Sequence, residues 1–190
     1  MRTNRKLMDL VVLSLLSAVI FLLGQTPLGL IPLGFCNVTI LCVPVAVGTM
    51  LMGWKRGLVL GFVFGCTSFL SALLRPSALV ATLMGANPFL CAVMTFLPRL
   101  MIPLTVWGVY VLMHKRFPRA SMAVAAAAGS LTNTVLYLGL MLLFYTLCGI
   151  DNSTVLTLIG VTAGGAGPAE AAVAAILCPP ITAALQKIRK

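Results

Sequence analysis

The chain has 190 residues, 61% of them hydrophobic and 8% charged, with a formal net charge of +10. Soluble domains run near half apolar and a quarter charged, so this composition excludes one and makes lipid the solvent. The positive charge is therefore read as membrane topology and attraction to an anionic inner leaflet, not as a nucleic-acid footprint.

Eleven of the 13 cations fall in four clusters: Arg2/Arg5/Lys6, Lys55/Arg56, Lys115/Arg116/Arg119 and Lys187/Arg189/Lys190. Three apolar stretches separate them, each long enough for two crossings of about 20 residues. Cationic loops stay on the cytoplasmic side. The pattern predicts an all-α membrane protein with one domain, residues 1–190. It is a six-transmembrane-helix bundle with both termini cytoplasmic, and it leaves no room for a soluble catalytic domain. Arg75 and Arg99 then fall on the outer side.

The first helix is expected over 7–24. Its basic start and apolar run resemble a signal peptide, but no small-x-small cleavage site closes the run, so it reads as a retained helix. Asp9 lies one turn after Arg5 and is expected to pair with it. A Pro/Gly-rich yet apolar loop follows, Thr26 to Gly34, and is expected to fold down over something. The second helix is expected over 37–52, with Asn37 and Thr39 at its start and Pro44 removing one of its hydrogen bonds. Gly53-Trp-Lys-Arg-Gly57 reads as a tight inner turn. The third helix, 57–74, opens on a Gly57/Gly61/Gly65 ladder that suits close backbone packing in lipid.

The outer segment from Arg75 to Asn87 reads as a short or half-buried helical piece. The fourth helix is expected over 98–114, with Pro98 in its first turn, and the fifth over 120–147, with Asn133 mid-helix. Asp151-Asn-Ser-Thr154 makes a solvated outer turn. Thr162-Ala-Gly-Gly-Ala-Gly167 reads as a hinge before the sixth helix, 168–187, which Pro179-Pro180 kinks near its inner end.

An ionisable or amide side chain at membrane depth is a functional candidate. Glu170, in the first turn of the last helix, answers either to that helix N-terminus or to a ligand hydroxyl or amide. Arg99, in a first turn, has an unfavourable dipole, so Glu170 or a ligand carboxylate should compensate it. Arg75 either snorkels to headgroups or joins the site. Asn133 bonds a neighbouring helix or a ligand. Asn37 and Thr39 face the same outer cavity, and Asn87 caps a short helix or points at ligand. The six cysteines contain no CxxC pair and read as packing residues, with a bridge among Cys36, Cys91 and Cys148 left open. No HExxH, GxSxG, paired carboxylates or Gly-Lys-Ser/Thr is present, so no enzyme, cofactor or metal site is expected.

Several segments in order resemble one family. They are Leu28-Gly-Leu-Ile-Pro-Leu-Gly-Phe-Cys-Asn-Val-Thr39, Gly57-Leu-Val-Leu-Gly-Phe-Val-Phe-Gly-Cys-Thr-Ser-Phe69, Leu97-Pro-Arg-Leu100 and Gly129-Ser-Leu-Thr-Asn-Thr134. Together the chain resembles the substrate-binding S component of energy-coupling factor (ECF) vitamin transporters. The resemblance implies a multi-pass protein of the bacterial plasma membrane that binds a small vitamin in an outer pocket. It also implies partners: a transmembrane coupling subunit and two ATPases, with release inside by toppling. The family's Ala-x3-Ala coupling contact on the first helix reads Ser14 and Ala18 here. The pieces around Asn37 and Asn133 most resemble pantothenate-associated members, with folate, biotin and riboflavin open. Two other classes compete: a proton-coupled secondary transporter using Glu170, and a membrane assembly protein without ligand.

Overall fold

The structure, a computed structural model, describes residues 2–26, 30–32 and 37–188. Helix α1 runs Arg2–Gln25, followed by an antiparallel pair, β1 Leu30–Pro32 and β2 Asn37–Thr39, with Leu30 opposite Thr39. Then come α2 (Cys42–Met52), α3 (Trp54–Leu74), α4 (Ala78–Ala86), α5 (Pro88–His114) and α6 (Pro118–Leu147). Helix α7 (Ser153–Val161) continues through a π-helical turn, Thr162–Ala166, into α8 (Gly167–Ile188).

Among the described residues, five segments are long and apolar enough to cross a membrane: Lys6–Gln25, Trp54–Leu74, Pro88–His114, Ala120–Leu147 and Ser153–Lys187. Helix α2 is different. Its 11 residues span about 16 Å, roughly half of a hydrocarbon core of about 30 Å. Every residue from Cys42 to Leu51 is buried, as expected of a helix that is apolar all round. It forms the centre of the bundle, against α3, α5 and α8.

The cationic turns gather at one end. Asp9 of α1 pairs with Arg56 of α3, the turn at Gly53 abuts Trp107 of α5, and His114 Nδ1 lies 3.3 Å from Ser121 Oγ across the α5–α6 turn. The Arg5 side chain, expected to hold Asp9, lies outside the described residues. The glycine ladder of α3 packs inward. A Cβ at Gly57 would clash with Thr49 of α2, one at Gly61 would lie 2.6 Å from the Arg99 carbonyl oxygen, and one at Gly65 2.6 Å from the Phe96 ring.

The first helix starts earlier than expected, at Arg2, and the helix expected over 120–147 starts at Pro118; four other differences each have a physical reason. The second helix starts at Cys42, because the Asn37–Thr39 stretch pairs as a strand; its β-branched Val38 and Thr39 favour extended backbone. Pro44 therefore falls in the first turn of α2, where a missing N–H breaks nothing. The third helix starts at Trp54, since Gly53 alone, at φ +91°, turns the chain. The fourth starts at Pro88, ten residues early: the Asn87 side chain accepts from the Phe89 and Leu90 amides, at 3.0 and 3.3 Å, and Pro88 occupies N1. The expected hinge is a wide helical turn, so α7 to α8 runs on as one segment.

Candidate functional site

At the end of the bundle opposite the cationic turns lies a cavity of about 540 Å³. Its walls come from the end of α1 (Leu23, Gly24) and Thr26 just after it, from Thr39 and Leu41 before α2, and from the C-terminal half of α3. Ser77 and Val80 of the α4 region, Thr95 and Arg99 of α5, and Asn133 and Tyr137 of α6 complete it.

Two prolines prepare the Arg99 position. Pro98 has no N–H to give the carbonyl four residues back, Met94. Arg99 Nη1 takes up that acceptor at 3.4 Å. Pro103 likewise frees the Arg99 carbonyl, and Gly61 of α3 approaches it closely because glycine carries no side chain. The expectation that Arg99 sits in a first turn is thus corrected: with α5 starting at Pro88, Arg99 lies mid-helix. What holds it is aromatic. Its guanidinium lies 4.7 Å from the Tyr137 ring centroid and 5.4 Å from that of Phe64, contacts worth about 0.5–2 kcal/mol each. Nε of Arg99 is enclosed and has no partner among the described residues.

Asn133 is 7% exposed, lines the cavity, and its Oδ1 has no partner among the described residues. An orphaned buried acceptor costs about 1–3 kcal/mol, so the neighbouring helices do not account for this amide. The second cation, Arg75, is exposed at the C-cap of α3 and also lines the cavity. No Asp or Glu stands among the lining residues. The cavity therefore carries two positive charges and no carboxylate, with Thr39, Ser68 and Thr95 adding hydroxyls around them.

Glu170 stands behind this wall. Its Oε1 accepts from the Thr39 amide at 3.0 Å and the Thr39 hydroxyl at 2.8 Å, and its Oε2 from the Thr134 hydroxyl at 3.3 Å. Among the described residues it forms no ion pair with Arg99. Nor does it sit at a free helix start, because the Gly167 amide is already bonded to the Thr162 carbonyl through the π turn. The C-terminal end of α1 is tied to α3 in a similar way: Gln25 Nε2 donates to the Thr67 carbonyl at 3.1 Å and to Ser71 Oγ at 3.3 Å.

The structure thus brings Thr39, Arg75, Arg99 and Asn133 to one cavity. It assigns Asn87 to the cap of α5 and Glu170 to the back of the wall. Asn37's side chain lies outside the described residues. Tyr137 was not singled out from sequence, although it sits four residues after Asn133, on the same helix face. Cys91 and Cys148 are free thiols, and Cys36, the remaining partner of the bridge left open, is outside the described residues. Asp151 is solvated in the turn after α6, where the Ser153 hydroxyl and then its amide hold the carboxyl below the usual range. On the opposite flank of α1, Ser14 and Ala18 are exposed, in a stripe with Leu7, Leu10, Val11, Leu15 and Leu22.

A model of the ECF transporter substrate-specific component family matches residues 8–182. The chain is 31% identical over 161 residues to the pantothenic acid transporter PanT of Lactococcus lactis subsp. cremoris (strain MG1363), a match that covers 80% of this chain and 79% of that protein.

Proposed function

The chain belongs to the ECF transporter substrate-specific component family, and from that premise we propose that it captures pantothenate, an anionic vitamin, in the outer cavity. The carrying observation is the unmatched chemistry of the cavity. It has two cations and no acid, a free Nε on Arg99 and a free Oδ1 on Asn133. A carboxylate complements Arg99, and a hydroxyl or amide donor complements Asn133. The PanT similarity supports the choice of pantothenate, which carries a carboxylate, two hydroxyls and an amide.

In this reading the protein is a transport component, not an enzyme, in the bacterial plasma membrane. The chain crosses the membrane six times with both termini cytoplasmic, α2 and the β1–β2 segment together making one crossing. That arrangement accords with the gathering of cationic turns at one end of the bundle and the cavity at the other. Arg75 meets the anion at the mouth, Arg99 holds it, Thr39, Asn133 and Tyr137 contact its remainder, and no cofactor is involved. Energy comes from a transmembrane coupling subunit and two ATPases. The small residues Ser14 and Ala18 on the exposed face of α1 suit close docking on that subunit, and toppling in the membrane delivers the vitamin inside.

A proton-carrying role for Glu170 fits less well, because three donors already hold its carboxylate. The test is equilibrium binding of radiolabelled pantothenate to the purified chain in nanodiscs, with competition by the neutral alcohol pantothenol. Saturable binding that pantothenol displaces poorly is expected. Equal displacement by both removes the carboxylate from the reading, and no saturable binding removes the ligand.

A further inference from the structure

We infer that Glu170 is a positioning residue for substrate retention: from α8 it ties the Thr39 side of the cavity to the α6 side, without touching substrate itself. The inference rests on the pantothenate-binding reading above.

The carboxylate joins three elements that are far apart in sequence. Thr39 is 131 residues away and Thr134 is 36 residues away. Both ends of this bridge sit next to the cavity. Thr39 lines it directly, and Thr134 is the neighbour of Asn133, whose carboxamide lines it with Oδ1 unpartnered. Successive residues on a helix point about 100° apart. Thr134 can therefore face α8 while Asn133 faces the cavity, and fixing one fixes the rotation of the other.

The start of α8 is seated for this work. A Cβ at Gly167 would lie 3.6 Å from Thr134 Cγ2, so α8 approaches α6 closely there. Glu170 follows one turn later. Its two oxygens are divided between the two walls: Oε1 serves Thr39 and Oε2 serves Thr134. An ionised carboxylate accepts such bonds more strongly than a neutral group. It is not among the cavity-lining residues, so its effect on a ligand passes through Thr39 and Asn133.

The experiment measures dissociation of radiolabelled pantothenate from the full chain in nanodiscs, for wild type, Glu170→Ala, Glu170→Gln, Thr134→Val and Glu170→Ala with Thr134→Val. Loosening the wall should speed dissociation of Glu170→Ala about tenfold, while the number of sites per protein stays at the wild-type value. A purely structural defect lowers the number of sites and leaves the rate of the remainder alone. Glu170→Gln keeps an acceptor for Thr39 and offers an N–H to the Thr134 hydroxyl, so it should stay within about threefold of wild type. The double variant should dissociate no faster than Glu170→Ala alone, because the Thr134 bond to α8 is then already gone and the hydroxyl's other bond, to the Ser130 carbonyl, stays within α6.

Additive effects in the double variant, or a glutamine variant as fast as the alanine one, mean that the charge itself meets the ligand and overturn the inference. If Glu170→Ala holds no ligand, the other variants decide: Thr134→Val faster than wild type with Glu170→Gln near wild type supports it, and the reverse order overturns it. Wild type that binds no pantothenate overturns the binding reading and this inference with it. Wild type that binds while Glu170→Ala dissociates at the wild-type rate overturns the inference alone.

Discussion

Arg99→Ala is the substitution on which the electrostatic reading turns. The side chain is anchored before any ligand arrives: Nη1 is on the Met94 carbonyl, and the guanidinium plane is held by Tyr137 and Phe64. Because it is pre-placed, little rotamer entropy is lost when a carboxylate meets it. A hydrogen bond to a charged group contributes about 1.5–3 kcal/mol, which corresponds to roughly 10- to 150-fold in Kd. Arg99→Ala should therefore weaken pantothenate binding by that factor. Arg99→Lys should recover only part, since a lysine lacks the planar fork and stacks less well on the rings. The assay is isothermal titration calorimetry of the detergent-solubilised protein with pantothenate and pantothenol. The charge argument predicts a large loss for the acid and a small one for the alcohol. Equal losses for both ligands would mean that the variant has collapsed the cavity, and no loss for either would place the ligand elsewhere.

Three further outcomes follow from separate parts of the structure. Ala18→Trp, on the exposed face of α1, should abolish ATP-dependent uptake in reconstituted vesicles while binding by the isolated chain is retained; loss of both would show that this face packs internally. Cysteines placed at Lys55 or Lys115 should react with a membrane-impermeant maleimide only from the cytoplasmic side, and one at Asn152 only from outside, with the opposite pattern inverting the topology. Gly61→Ala should lower the thermal midpoint in detergent by the equivalent of about 1–3 kcal/mol, because its Cβ meets the α5 backbone at 2.6 Å, whereas Gly85→Ala, with nothing within 4 Å, should not. A Gly61→Ala protein as stable as wild type would contradict the α3–α5 packing.

Much of the architecture was legible because charge and hydropathy are local signals. Cationic clusters mark where the chain turns, and the turns at Lys55/Arg56 and Lys115/Arg116 lie at one end of the bundle. What was misread depends on which of several competing local signals the folded chain uses. Pro98 beside Arg99 has the look of a helix start, and nothing local says that Arg99 itself replaces the bond Pro98 removes. The Asn87-Pro88 pair carried an equally good start signal ten residues earlier. The strand at Asn37–Thr39 was hidden because apolar runs of that length suit either helix or strand, and only its pairing with Leu30–Pro32 decides. At the site, Arg75, Arg99 and Asn133 stood out because polar groups at membrane depth are rare. Tyr137 did not, as an aromatic in an apolar helix is ordinary, and it is the guanidinium over its ring and its place on the cavity wall that single it out. Glu170 was visible as a suspect, but the hydroxyls that occupy it come from elements far away along the chain.

The central claim, that this cavity selects an anionic vitamin, is tested most directly by the small molecule that the protein retains through purification in mild detergent. Mass spectrometry of the extracted ligand should find pantothenate close to one per chain, and its amount should fall in Arg99→Ala prepared alongside. A neutral or cationic vitamin in that place, retained equally by Arg99→Ala, would contradict the account.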